Sequence, residues 1–383
     1  MGGPTSRERM DAAMRPRDTR IPDRVPVMCQ LALGHYFLNA GAPARDIWHD
    51  TRAFGDALLL LQRRYGFDGV LVNLPGRDPD WRDSVQDIGR DGSREVVIWN
   101  DGTRTVVPPD DNPFVVTAAG RRPSRPGVDS LAPETLFYVE PHGQYGVTMQ
   151  ADFPAWQWDT VRYVRAQAPE VSIHGEVFSP FSQLMELLGC EATLMALLDD
   201  GPKVSACLDR LGEGAAGLAS GQLRAGADAI LISSAYAGAG LISRRHYEQF
   251  VLPHERQLVA SIKAYAPEAR IYTHTCGAIG DRLDLMEATG TDGIDTLDPP
   301  PLGTVELADA VRRFRRRIFI KGNIDPVSTL LRGTPDECYA DARRRIDTAG
   351  GDGGYILSSA CSVPPHTPAG NILQLARAAG DAA

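Results

Sequence analysis

At 383 residues, 43% of them apolar, the chain is long enough for one large or two medium domains with an ample core. A net charge of −9 argues against a nucleic-acid partner, which demands a basic stripe, and no apolar run approaches a membrane span. The opening MGGPTSRERM has no apolar stretch of the secretory kind, and Cys29, Cys190, Cys207, Cys276, Cys338 and Cys361 follow no disulfide spacing, so the expectation is a cytoplasmic protein with free or metal-bound thiols.

Residues 1–20 are expected to form a flexible N-terminus. Eight short β-branched runs follow: RVPVMCQLAL (24–33), DGVLVNL (68–74), EVSIHGEVF (170–178), ADAILISS (227–234), RIYTHTC (270–276), DGIDTL (292–297), RIFIKGN (317–323) and GYILSSAC (354–361). Helical patterns separate most of them. ARDIWHDTRAFGDALLLLQRRYG repeats its apolar residues at helical spacing and closes on glycine, and SRRHYEQFVLPHERQLVASIKAYAP begins at a serine cap and stops at proline. Eight strands alternating with helices predict an α/β fold, a (β/α)₈ TIM barrel forming one domain over 1–383. The alternation breaks between the second and third strands. Residues 75–169 are expected to be an insertion covering one mouth of the barrel, with a β-hairpin in REVVIWNDGTRTVV that turns at Asn100-Asp101-Gly102.

A barrel puts its chemistry at the C-terminal ends of its strands, so those ends identify the candidate site. The first run ends near His35 and Tyr36 and the second at Asn73. The third carries His174 and Glu176, two apart and on one face, and the fourth ends at Ser233 and Ser234. The fifth ends at His274 and Cys276, the sixth near Asp298, the seventh at Asn323 and Asp325, and the eighth at Cys361. Closing the barrel brings Cys361 to the mouth that holds the His274–Cys276 pair. One imidazole and two thiolates form a three-ligand zinc set that leaves a fourth position for substrate or a mobile ligand. Taken singly, each of these residues reads as an ordinary buried side chain; the metal reading rests on the three together.

AGADAILISSAYAGAGLISRRHYEQFVLPHERQLVASIK, KGNIDPVSTLLRGTPDE and GGYILSSACSVPPHTPAGN resemble the uroporphyrinogen decarboxylase family, as do VFSPFSQLMELLGCEATLMALLDD, RVPV and YGFDGV. The resemblance runs from about residue 20 to 375 and implies the same barrel. Decarboxylases of the family carry an arginine-containing stretch after the first strand that grips substrate carboxylates; here the matching VMCQLALGHYF has none. The other branch comprises zinc methyltransferases that work with corrinoid proteins and hold zinc through an H-x-C and a distant cysteine, a pattern that maps onto His274, Cys276 and Cys361. The resemblance therefore implies methyl transfer to or from a cobalamin carried on a separate corrinoid protein, since the chain has no D-x-H-x-x-G cobalamin motif. The other reactant would be a small thiol, methoxy or methylamine compound.

Around this set, Glu176 is expected to complete the zinc sphere, to act as a general acid or base, or to hydrogen-bond substrate. His35, Tyr36, Asn73, His174, Asp298, Asn323 and His366 are expected at the substrate pocket, with a turn or cap role at least as open for Asp298, and with Asn323 shaping the seventh loop first and touching substrate second. Lys321 raises a Schiff-base option that nothing else in the sequence supports. Three rivals stay open: a cobalamin-independent zinc methyltransferase of the methionine synthase kind, a decarboxylase-like lyase, and a non-enzymatic zinc scaffold. A homodimer is compatible with the exposed helices of a barrel.

Overall fold

The structure, a computed structural model, describes residues 3–16, 21–140, 148–150, 152–315, 317–350 and 353–382, with the backbone alone at 148–150. Its strands are β1 (Gly69–Val72), β2 (Val85–Asp91), β3 (Arg94–Trp99), β4 (Arg104–Val107), β5 (Phe114–Val116), β6 (Tyr138–Glu140) and β7 (Thr148–Gln150). Then come β8 (Ser172–Phe178), β9 (Ala229–Ser233), β10 (Arg270–His274), β11 (Gly293–Thr296), β12 (Phe319–Ile324) and β13 (Tyr355–Ser359). Among the described residues, seven strands form one parallel sheet in the order β1-β8-β9-β10-β11-β12-β13. Burial is unbroken along β9, β11, β12 and β13, as in a sheet covered by helices on its outer face and filled on its inner one.

The eighth stave differs from expectation. Residues 24–33 form no regular strand; they touch the sheet through single bridges, Val27 to Leu357 and Leu31 to Val363. Met28 N donates to Leu357 O at 3.0 Å, and Asp68 N donates to Val27 O at 2.7 Å, so the segment still closes the ring between β13 and β1. Pro26 lacks an N–H and cannot enter a continuous ladder.

The N-terminus corrects a second expectation. Ser6–Ala13 is a helix with a complete capping box, Thr5 to Glu8. Its Met10 and Ala13, with Met14, pack against Met28, Leu71, Leu231, Tyr272, Phe319 and Ile356, filling the N-terminal end of the barrel. Arg9 and Arg24 pair with the fully buried Asp68 at 2.7 and 2.9 Å, which fastens this plug to the foot of β1. The apolar face is only a few residues wide in a charged stretch, which is why composition alone suggested a flexible tail. Residues 1, 2 and 17–20 of that expectation lie outside the described residues.

The insertion carries the expected hairpin, β3–β4, with Gly102 in the left-handed region at φ 82°. β2 and β5 extend it to a four-stranded antiparallel sheet. That sheet docks beside the barrel through an Arg45–Glu95 ion pair at 3.0 Å and through His49, stacked on Trp81 at 4.9 Å. Residues 141–147 and 151 of the insertion lie outside the described residues. The helix Thr51–Tyr65 ends on Gly66 at φ 66°, the glycine stop read from the sequence, and starts on an Asp50 cap; Pro335–Ala349 starts on a Thr334–Glu337 capping box. Among the described residues no single helix is long and apolar enough to cross a membrane.

Candidate metal centre

His274 is the last residue of β10, and Cys361 follows the end of β13 by two residues. Because all strands of the ring run the same way, both arrive at the C-terminal mouth from opposite sides of three intervening strand pairings. Cys276 completes the set: its Sγ lies 3.2 Å from His274 Nε2 and 3.8 Å from Cys361 Sγ. The three donor atoms all lie within 4.8 Å of one another. The glycine in THTCG has a local reason. Gly277 takes φ 78°, turning the chain immediately after Cys276, and its N–H donates to Asp298 Oδ2 at 2.6 Å. Gly238 lets a neighbouring loop press on the same turn, since a Cβ there would lie 2.3 Å from Cys276 O.

The other face of the imidazole is held from below. His274 Nδ1 lies 3.1 Å from Asp295 Oδ2 and 3.0 Å from Thr296 Oγ1. With Nδ1–H donated to the carboxylate, Nε2 is the nitrogen that faces the sulfurs and that would bind a metal once deprotonated. Asp295 in turn receives Lys321 Nζ at 3.1 Å, and Lys321 also reaches Ser358 Oγ at 3.1 Å. Burial works to raise the Asp295 carboxyl, but Lys321 and His274 outweigh it and hold it below its ordinary value. Lys321, committed to this buried pair, supports the imidazole through Asp295, and the Schiff-base option has no geometric basis.

The sulfurs share their protons unequally. The hydrogen bond from the Cys276 thiol brings Cys361 down to about 4 against the opposing effect of burial, and the same bond together with burial pushes Cys276 up. Burial lowers His274, but the Cys276 sulfur and Asp295 outweigh it, so its value stands well above that of free imidazole. Three soft or borderline donors converge here, one sulfur already favoured as thiolate and the imidazole anchored by a carboxylate; this donor set fits zinc.

Glu176 stands at the end of β8, 8% exposed, and burial pushes its carboxyl up to about 7. Its Oε2 is buried without a hydrogen-bond partner. Asp298 joins the rim, its carboxyl raised to about 6 by burial and by the Cys361 sulfur while it holds the Gly277 turn. Asn73 follows the last residue of β1, with a buried, unpartnered Oδ1 on the Glu176 side. Ser233 and Ser234 are both buried at the end of β9, and Ser234 N donates to His274 O at 2.8 Å.

Other expected pocket residues lie elsewhere. His174 sits one layer deeper, between Tyr272 OH at 2.8 Å and Ser172 Oγ at 3.1 Å, its basicity lowered to about 3 by burial and by Lys321. His35 spends its ring nitrogens on Tyr65 OH at 2.8 Å and Pro365 O at 2.9 Å, tying the loop after Cys361 to the helix Leu33–Asn39. Tyr36 packs edge-on against Phe54 in the core. Asn323 bonds Leu297 O at 2.8 Å and the Arg345 guanidinium, and so braces strand against helix. Asp325 caps the turn at Val327 and Ser328. His366 is exposed and pairs with Asp110 of the insertion at 2.8 Å.

Asp295 was missed by sequence reasoning. The available signal was an acid inside the apolar run DGIDTL, directly opposite His274 in the parallel register. Gln157, Thr160 and Glu140, which reach the mouth from the insertion, carried no sequence signal at all.

The curated proteins that the chain matches include the methylcobamide:CoM methyltransferase of Methanosarcina acetivorans, 29% identical over 210 residues that cover 55% of this chain and 58% of that protein. They also include the uroporphyrinogen decarboxylase of Crocosphaera subtropica, 31% identical over 153 residues, 39% of this chain and 40% of that protein. The chain thus spans roughly three-fifths or less of the curated relatives it matches. Among solved structures, a methyltransferase from Methanosarcina mazei shares the fold over 99% of both chains, with a TM-score of 0.74 at 19% identity. The family model for uroporphyrinogen decarboxylase (URO-D) matches residues 149–381, the stretch that supplies β8 to β13 and every donor atom of the cluster, and the chain belongs to that family.

Proposed function

We propose that the chain is a zinc-dependent methyltransferase that moves a methyl group between a corrinoid, carried by a partner protein, and a small substrate such as a thiol or a methoxy or methylamine compound. The observation that carries this reading is the His274–Cys276–Cys361 triad at the C-terminal mouth, its imidazole fixed by Asp295. The methylcobamide:CoM methyltransferase relative supports the choice of reaction. Zinc bound there supplies Lewis acidity that keeps a substrate sulfur deprotonated or polarises a leaving heteroatom.

The chain's own residues divide the remaining work. His274 Nε2 and the two sulfurs would hold the metal, and Asp295 keeps the imidazole in one tautomer. Glu176, poised near neutrality by burial, faces the substrate side of the mouth as a proton-exchanging or hydrogen-bonding carboxyl. Asp298 holds the turn that aims Cys276. A decarboxylase-like reading finds less support, because the stretch Val27–Phe37 has no arginine and the mouth is edged by carboxylates that would repel a polycarboxylate.

The test is consumption of methylcobalamin by the zinc-loaded protein with a simple thiol, followed by the cobalt–carbon absorbance. Cys361→Ser should lower the rate at least 100-fold. Equal rates in the two proteins contradict the proposal, and activity with methyltetrahydrofolate alone assigns the chain to the cobalamin-independent kind.

A further inference from the structure

Behind Glu176, between the ends of β1 and β8 and the strand β6 of the insertion, lies a small chamber of about 20 Å³, room for a group of water or ammonium size. Among the described residues, six of the sixteen buried side-chain polar atoms without a hydrogen-bond partner belong to its lining. They are Asn73 Oδ1, Gln157 Oε1 and Nε2, Thr160 Oγ1, Glu176 Oε2 and Gln222 Oε1. Gln157, Thr160, Glu176 and Gln222 are 3%, 1%, 8% and 7% exposed, so bulk water does not satisfy them. A fold normally pairs such atoms, and gathering them around one cavity is the mark of a site built for a polar guest.

The chemistry of the lining selects the guest. Five of the six atoms are oxygens, four of them acceptors only when Glu176 is ionised, and a second carboxylate, Glu140, completes the wall. Among the described residues the lining contains no lysine, arginine or histidine. Arg77 acts on Glu140 but is not part of the lining; it lies over the Trp48 ring and donates to Trp48 O at 2.9 Å. An anionic head group would meet the Glu176 carboxylate and the amide oxygens of Asn73, Gln157 and Gln222. A small cation with several N–H donors would meet matching oxygens. Glu176 joins this chamber to the triad: it lines the one, and its carboxyl bonds Ser233, which lies opposite His274 in the β9–β10 register.

We propose that the chamber is the subsite for the ammonium head of the small substrate, so that the methyl-accepting compound is a thiol carrying an amino group rather than an anionic thiol. This assignment rests on the proposed function for the role of the triad, and the chamber itself stands independently of it. The sulfur end addresses His274, Cys276 and Cys361, and the ammonium end donates to Glu176, Gln157 and Thr160.

Calorimetry on the zinc-loaded full chain tests this with cysteamine, ethanethiol, 2-mercaptoethanesulfonate, ethylammonium chloride and potassium chloride. Cysteamine should bind at least tenfold more tightly than ethanethiol, and the sulfonate more weakly than ethanethiol. Gln157→Leu and Thr160→Val should each reduce the cysteamine-to-ethanethiol affinity ratio by tenfold or more, in variants whose circular dichroism matches the wild type. Should either variant fail to fold, the wild-type ratios decide alone. A wild-type ratio of one or less overturns the proposal, as does a ratio unchanged in both folded variants. Potassium competing as well as ethylammonium also overturns it, assigning the chamber to a free ion. Methylcobalamin consumption is followed on the same preparations. Turnover without cysteamine preference defeats the subsite and leaves the methyltransferase standing, and preference without turnover does the reverse.

Discussion

His274 and Asp295 face each other across adjacent strands, Nδ1 to Oδ2 at 3.1 Å, directly opposite in the β10–β11 register. The contact orients the ring, sets its tautomer and ties the triad to the buried Lys321 beneath. Asp295→Asn keeps the shape but removes the charge, and should lower zinc affinity by about 10- to 100-fold, as loss of such supporting carboxylates does. Competition with a chromophoric chelator reads this directly. Unchanged affinity would show that Asp295 serves Lys321 and not the metal ligand.

Glu255 offers a pH signature away from the triad. It is 1% exposed, and burial pushes its carboxyl up to about 7 from 4.5. A carboxyl with a raised folded-state value favours the folded chain fully below its unfolded value, and that advantage is lost as pH climbs from about 4.5 to 7. The shift corresponds to about 3 kcal/mol. Glu255→Gln should therefore gain about 3 kcal/mol relative to wild type on going from pH 4.5 to pH 8, measured by urea unfolding. A wild-type-to-variant difference that does not move with pH would show that burial leaves the Glu255 carboxyl at its ordinary value.

The N-terminal plug should behave as core. Met10 is fully buried among Met28, Leu71, Tyr272 and Phe319 at the foot of the barrel. Met10→Ala should cost about 2–5 kcal/mol, the range for large-to-small changes at buried sites. Denaturant midpoints shifted by less than about 0.5 kcal/mol equivalent would place the helix outside the cooperative unit.

Much of this was legible in the sequence because period-2 runs and helix caps are local signals. The runs that became β8 to β13 announced the parallel sheet, and strand alternation was enough to put His274 beside Cys276. Cys361 could be assigned to the same mouth only through barrel closure, a global inference that the geometry supports. Residues whose meaning depends on what lies across space were misread. His35 and His174 are polar groups near strand ends, yet Tyr65 and Tyr272 hydroxyls satisfy them inside the core. Asn323 follows Lys321 by two residues but turns to Arg345 instead of the mouth. Gln157 and Thr160 were invisible because Gln157 lies in an irregular turn and Thr160 on the buried face of the helix Asp159–Gln167, where nothing local shows what they meet across space.

The central claim is that His274, Cys276 and Cys361 together hold one zinc. Zinc per chain, measured by mass spectrometry on wild type and on Cys361→Ser after identical zinc loading and dialysis, tests it most directly. The account predicts about one zinc per wild-type chain, the expectation for a three-ligand catalytic site, and loss or marked loosening in the variant. A folded wild-type chain that takes up no zinc, or a variant that retains it as tightly, would contradict it.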